Sequence, residues 1–199
     1  MNRVCRSLVS FIVLACLLGQ MIGGNAKADP PVNKNSSDVL DPQWGVGSWI
    51  WAPKTSDKQT CRFWRSFEIP PGATVARAQL HIGVDNGYRL MLDGRELGTG
   101  SDWRSITEYQ IGLLLDPGLH VLAVEGFNDN REAGMLFGLR IELAGGRVIT
   151  IPSDTNWRVA PADERGWDRK QEAPASWPKA VVVARFCRGM VSGSSASPP

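Results

Sequence analysis

Along much of the chain apolar and polar positions alternate with a period of two. Ala76, Ala78, Leu80, Ile82 and Val84 are interleaved with Arg77, Gln79, His81 and Gly83, as in a strand with one buried face and one polar face. Phe137, Leu139, Ile141 and Leu143 alternate in the same way with Gly138, Arg140 and Glu142. The run from Leu119 to Phe127 is apolar on nearly both faces, broken only by His120, Glu125 and Gly126, which predicts a strand in the middle of a sheet. Further strands are predicted at 60–69, 88–92, 95–97, 107–111, 148–151, 157–160 and 181–186. Asp93-Gly94 and Gly145-Gly146 fall between such runs, where tight hairpins need residues tolerant of positive φ. No segment offers an amphipathic helix of three turns, and Gly112 to Leu115 allows one turn at most. About nine short strands separated by turn signals predict an all-β protein, an antiparallel β-sandwich.

The two ends break this pattern. Met1 to Ser7 carries Arg3 and Arg6 and leads into the apolar run Leu8 to Leu18, shorter than the roughly 20 residues a spanning helix needs. Ala26-Lys27-Ala28 then supplies an A-x-A-like cleavage site. Residues 1–28 are therefore read as a signal peptide cut after Ala28, giving a secreted or periplasmic protein with no membrane span. Val13-Leu14-Ala15-Cys16 loosely resembles a lipoprotein box and is the second choice, because the apolar run continues past Cys16. Residues 29–43 and 188–199 are poor in large apolar residues and rich in Pro, Ser, Asn and Gly, which predicts a flexible linker and a disordered tail. The domain is placed at 44–187.

Removing 28 of the 199 residues leaves 171, enough for one domain with its own core. The 22 basic and 20 acidic residues are interspersed, with no basic tract to follow a phosphate backbone, which argues against a nucleic-acid partner. Two of the four cysteines, Cys5 and Cys16, leave with the signal. An oxidising compartment permits a bond between Cys61 and Cys187, and two separate half-buried thiols fit the spacing equally well.

Several motifs in order then point to a family. They are Trp49-Ile50-Trp51-Ala52-Pro53, Phe63-Trp64-Arg65-Ser66-Phe67-Glu68-Ile69-Pro70, and Val84-Asp85-Asn86-Gly87-Tyr88-Arg89-Leu90 leading into Leu92-Asp93-Gly94. Leu114-Leu115-Asp116-Pro117-Gly118-Leu119-His120-Val121-Leu122-Ala123-Val124-Glu125 follows, and then Ser153-Asp154, Trp157, Gly166-Trp167 and Ser176-Trp177-Pro178. The chain resembles the galactose-binding-like jelly roll, and is especially similar to the N-terminal accessory, carbohydrate-binding domains of bacterial α-L-rhamnosidases. It departs from them at His120, where the pattern has Asn, and at Lys170 to Ala175, which lacks their paired aspartates. The resemblance implies a jelly-roll sandwich. It also implies that Asp85 and Asn86, beside the Tyr88 strand, hold calcium or ligand.

Sugar binding needs flat aromatic faces and a few planar polar groups. Of the eight tryptophans, Trp49, Trp51, Trp64, Trp157 and Trp177 lie in or beside strands and read as packing. Trp103 sits in the polar loop Gly100-Ser101-Asp102-Trp103-Arg104-Ser105 and is the preferred aromatic platform. Asp85 and Asn86 can direct about three oxygens at one spot, suiting Ca²⁺ or sugar hydroxyls; Asp-Asn-Gly is also an ordinary turn. Asn128 and Asp129 add oxygens if their loop lies beside Asp85, and are otherwise solvated. Arg104 can fork onto a hydroxyl pair. The candidate ligand contacts are thus Asp85, Asn86, Trp103, Arg104 and Asn128, and the candidate calcium ligands Asp85, Asn86 and Asp129.

No pair of carboxylates is singled out for glycoside hydrolysis. His81, on the polar face of a strand, and His120, beside a turn, have no nearby partners for a triad or a zinc site. The reading is an exported, non-catalytic module that binds or accompanies carbohydrate. The alternative is a structural sandwich that binds a partner protein and no sugar.

Overall fold

The computed structural model describes residues 45–184. The segments expected to be a signal peptide, a linker and a tail, together with Trp44 and Cys187, lie outside them. Among the described residues eleven strands form two antiparallel sheets packed face to face. The strands are β1 (Trp49–Trp51), β2 (Gln59–Ile69), β3 (Val75–Asp85), β4 (Gly87–Leu92), β5 (Arg95–Gly100) and β6 (Thr107–Gln110), followed by β7 (Gly118–Asn128), β8 (Gly134–Leu143), β9 (Val148–Pro152), β10 (Arg158–Ala160) and β11 (Val181–Ala184). One sheet runs β11-β1-β8-β3-β6, with β9 also paired to β8; the other runs β10-β2-β7-β4-β5. The chain changes sheet at most connections, staying in one only at the β4–β5 and β8–β9 hairpins. Among the described residues the helical structure is confined to single 3-10 turns, at Gly112–Leu114 and Trp167–Arg169, and no helix is long and apolar enough to cross a membrane.

Period-two alternation places the core. Cys61, Phe63, Phe67 and Ile69 of β2 face Ala78, Leu80, Ile82 and Val84 of β3 across the sandwich, and Leu122, Val124, Leu139 and Ile141 complete the layer. Trp51 packs on Phe63 at 5.2 Å between ring centroids, and Phe137 on Trp157 at 4.9 Å. Such aromatic pairs add about 0.5–1.5 kcal/mol beyond the area they bury. β7 is central, paired along its length with β2 from Gln59↔Asn128 to Ile69↔Gly118 and with β4 on its other side, as its two apolar faces require.

Two features differ from the sequence reading. Trp49–Trp51 is a strand although three residues are too few to show a period. His81, assigned to a polar face, is 2% exposed. The outer surface of its sheet is covered: Gly47 donates to Phe137 O, and a Cβ on Gly138 would lie 2.8 Å from the Val46 backbone. His81 instead faces Glu108, 3.7 Å away, and burial lowers its pKa despite that carboxylate.

Candidate functional site

Four loops gather at one end of the sandwich: β1–β2, β3–β4, β5–β6 and β7–β8. Main-chain and side-chain bonds tie three of them together. The Asp129 N–H donates to Asn86 Oδ1 at 2.6 Å, the Asn86 N–H to Phe127 O, and the Lys58 N–H to Asp129 O at 3.0 Å. The Arg131 N–H donates to Asp57 Oδ1 and Asn128 Nδ2 to Ser56 O, each at 3.0 Å. The link between β3 and β4 is a single residue, Asn86, preceded by a cis peptide bond. It carries the chain from one sheet to the other, so it is a crossover and not a hairpin turn.

Between these loops lies an open cleft of about 570 Å³, within the usual range of ligand sites. Its lining includes Lys58, Thr60, Asn86, Phe127, Asn128 and Asp129, with Thr99 and Gly100 of β5 on the far side. Thr60, Phe127 and Gly87 form one row across β2, β7 and β4 on the outward face of the five-stranded sheet. Phe127 is 43% exposed, an aromatic ring left in the open at the bottom of a polar surround. Asn128, the next residue, points inward and is 2% exposed, and its Oδ1 has no hydrogen-bond partner among the described residues. An acceptor so placed lacks a partner worth about 1–3 kcal/mol.

The structure therefore brings Asn86, Asn128 and Asp129 together. Asp85 sits just behind them, its Oδ1 also buried without a partner, and burial followed by the nearby Glu132 charge raises its pKa. Trp103 and Arg104 are not among the lining residues. Their loop contributes Ser101 to the wall, while the Arg104 guanidinium lies 5.2 Å from the Trp103 ring centroid, occupying the face proposed as a platform. The open aromatic at this end is Phe127. Its signal was its place as the last apolar residue on the outward register of the central strand.

Calcium needs several free oxygens around one point. Asn86 Oδ1 already accepts the Asp129 N–H, Asp85 is biased towards its neutral form, and no group of three His, Cys, Asp or Glu is arranged for a metal among the described residues. Elsewhere, His120 is held at both ring nitrogens, Nδ1 at 2.8 Å from Asp93 Oδ2 and Nε2 at 2.7 Å from Asp116 O, leaving neither for proton transfer. Cys61 faces the core, and burial pushes its thiol up to about 11 against a backbone hydrogen bond with Ala52. Its pairing with Cys187 falls outside the described residues.

No family model matches the chain, and no curated protein does. Solved structures do. An α-L-rhamnosidase of Streptomyces avermitilis, complexed with L-rhamnose, is 28% identical with a TM-score of 0.61 over 69% of this chain and 14% of its own. The lectin of Pleurotus ostreatus superposes in its apo form with a TM-score of 0.64 at 20% identity, over 79% of this chain and 44% of its own. The same lectin with GalNAc gives 0.59 at 21%, over 70% and 43%. The sandwich has the galactose-binding-like fold. It is similar to a small part of the rhamnosidase and to less than half of the lectin, as an accessory domain would be.

Proposed function

We propose that this chain is an exported, non-catalytic carbohydrate-binding module that holds a sugar in the cleft at the loop end. The observation that carries the reading is an exposed ring, Phe127, at the bottom of a cleft walled by Lys58, Asn86, Ser101 and Asp129 from four loops. The apolar side of a pyranose stacks on the ring, and its hydroxyls bond to Asn86, Asp129 and Lys58. The GalNAc complex of the structurally similar lectin and the L-rhamnose complex of the rhamnosidase support a sugar as the ligand class.

Absence of catalysis fits the charges. A glycosidase presents two carboxylates across its cleft. Among the described residues Asp129 is the one carboxylate lining it, and the neighbouring Glu125 is taken up by two arginines. Glycan-array binding of the mature protein tests the proposal, with Phe127→Ala as control. Retention of at least one glycan, reduced tenfold or more by the substitution, is the expected result; no retention on any glycan overturns it. Export is checked separately, by sequencing the N-terminus of protein recovered outside the cytoplasm, which should begin at Asp29.

A further inference from the structure

On the same outward face, one row from Phe127, a single carboxylate is shared by two guanidiniums. Arg62 Nε donates to Glu125 Oε1 at 3.0 Å and Arg89 Nη2 to Glu125 Oε2 at 2.5 Å. Glu125 is 8% exposed, so both bonds are well shielded. The two arginines differ in what else they do. Arg62 Nη1 donates to Ala162 O at 2.5 Å, and its guanidinium lies 5.6 Å from the Trp167 ring centroid. The Arg89 side chain is 44% exposed and, apart from Glu125, makes no hydrogen bond to the described residues.

A guanidinium carries five donors in a rigid planar fork, shaped for a carboxylate. Arg89 is held at one corner by a buried carboxylate and presents the remaining donors to solvent, so little side-chain freedom remains to be lost on binding. Its cross-strand partner Thr99 and its same-face neighbour Gly87 both line the cleft. Two residues along a strand advance about 6.6 Å and adjacent strands lie about 4.8 Å apart, which puts Arg89 within reach of a substituent on a ring stacked on Phe127. Charge favours an anion there: Lys58, Arg62 and Arg89 outnumber Asp129 and Glu125 over the cleft and the row beside it.

Resting on the glycan reading above, we propose that the cleft selects an acidic sugar, a uronate whose ring lies on Phe127 and whose carboxylate is taken by the free edge of Arg89. The test is calorimetric titration of the mature protein with polygalacturonate, alginate and glucuronoxylan fragments, each beside its carboxyl-reduced, neutral counterpart and a sulfated one. At least one acidic fragment should bind tenfold or more tighter than its neutral counterpart, with a ratio that shrinks as salt rises. Arg89→Gln should erase that ratio while leaving neutral binding in place. Arg89→Lys, which keeps the charge and loses the fork, should retain the salt dependence but only part of the ratio; denaturation curves confirm that both variants fold. Equal or weaker binding of the acids, or tighter binding of the sulfated fragments, overturns the uronate inference and leaves the glycan reading standing. No binding of any fragment, together with an empty glycan array, overturns both.

Discussion

The outward face of the five-stranded sheet has two halves built on the same strands, and they have opposite fates. Towards one end, Trp64, Val121, Ala123, Met91 and Ala160 are covered by the segment after β10, which lays Trp167 and Trp177 over them as a second small core. Trp64 meets Trp177 edge to face at 6.1 Å and donates its Nε1–H to Lys170 O at 2.8 Å. Towards the other end, Thr60 and Phe127 stay exposed on the same strands, with Gly100 and Ser101 close against Gly87 alone, and there the cleft opens. The Arg62–Glu125–Arg89 row is the border. Both halves carry an outward-facing apolar side chain on the central strand, so what separates a core from a binding surface is whether a later segment of chain arrives to exclude water.

Five substitutions would break or sharpen this contrast. The largest effect is expected from Trp177→Ala, which removes a side chain 1% exposed and should cost about 3–5 kcal/mol of stability in urea denaturation, with sugar affinity unchanged while the protein is folded. At the border, Glu125→Gln leaves two guanidiniums without their shared anion. Because the arginines are partly solvated, the expected loss is about 1–3 kcal/mol, read by the same curves, with binding at the open half weakened as Arg89 loses its anchor. In the open half the pattern reverses. Phe127→Ala should cost under about 1 kcal/mol of stability, since much of the ring is already in water, yet reduce sugar affinity tenfold or more; Trp103→Ala should leave the affinity as it is.

The smallest effect concerns Asp85, behind the cleft. Burial raises its folded pKa above the ordinary 3.8, so the native state binds its proton more tightly than the unfolded chain. Its contribution is fully present below that ordinary value and is lost as pH rises through the raised one. Stability measured across mildly acidic pH should therefore decline through that window on this group's account. In Asp85→Asn that component should vanish, and a pH profile identical to the parent's would show that Asp85 is not its source.

Much of the fold was legible because the pleat makes a local pattern report burial. The long strands β2, β3, β7 and β8, the Asp93-Gly94 hairpin with φ of 53° and 76°, and the single turn at Gly112–Leu114 all follow from spacing and turn chemistry. β1 escaped because three residues carry no period, and His81 was misjudged because alternation tells which residues share a face but not what covers it. The same gap explains the site. Residue type alone points to Asn86, Asn128 and Asp129, which the fold brings to one end, whereas the exposure of Phe127 and the distance of Trp103 from the cleft depend on what packs around them.

The sequence by itself determined the sandwich, its central strand and the polar loop residues that could meet a ligand, since each depends on neighbours within a few positions. Tertiary structure alone decided which outward row became core and which became cleft. The residues concerned are far apart in the chain: Ala162 is 100 positions from the Arg62 that borders it, and Asn86 is 43 from the Asp129 it holds. Exposure at a given strand position is a property of those distant encounters, and no local period encodes it.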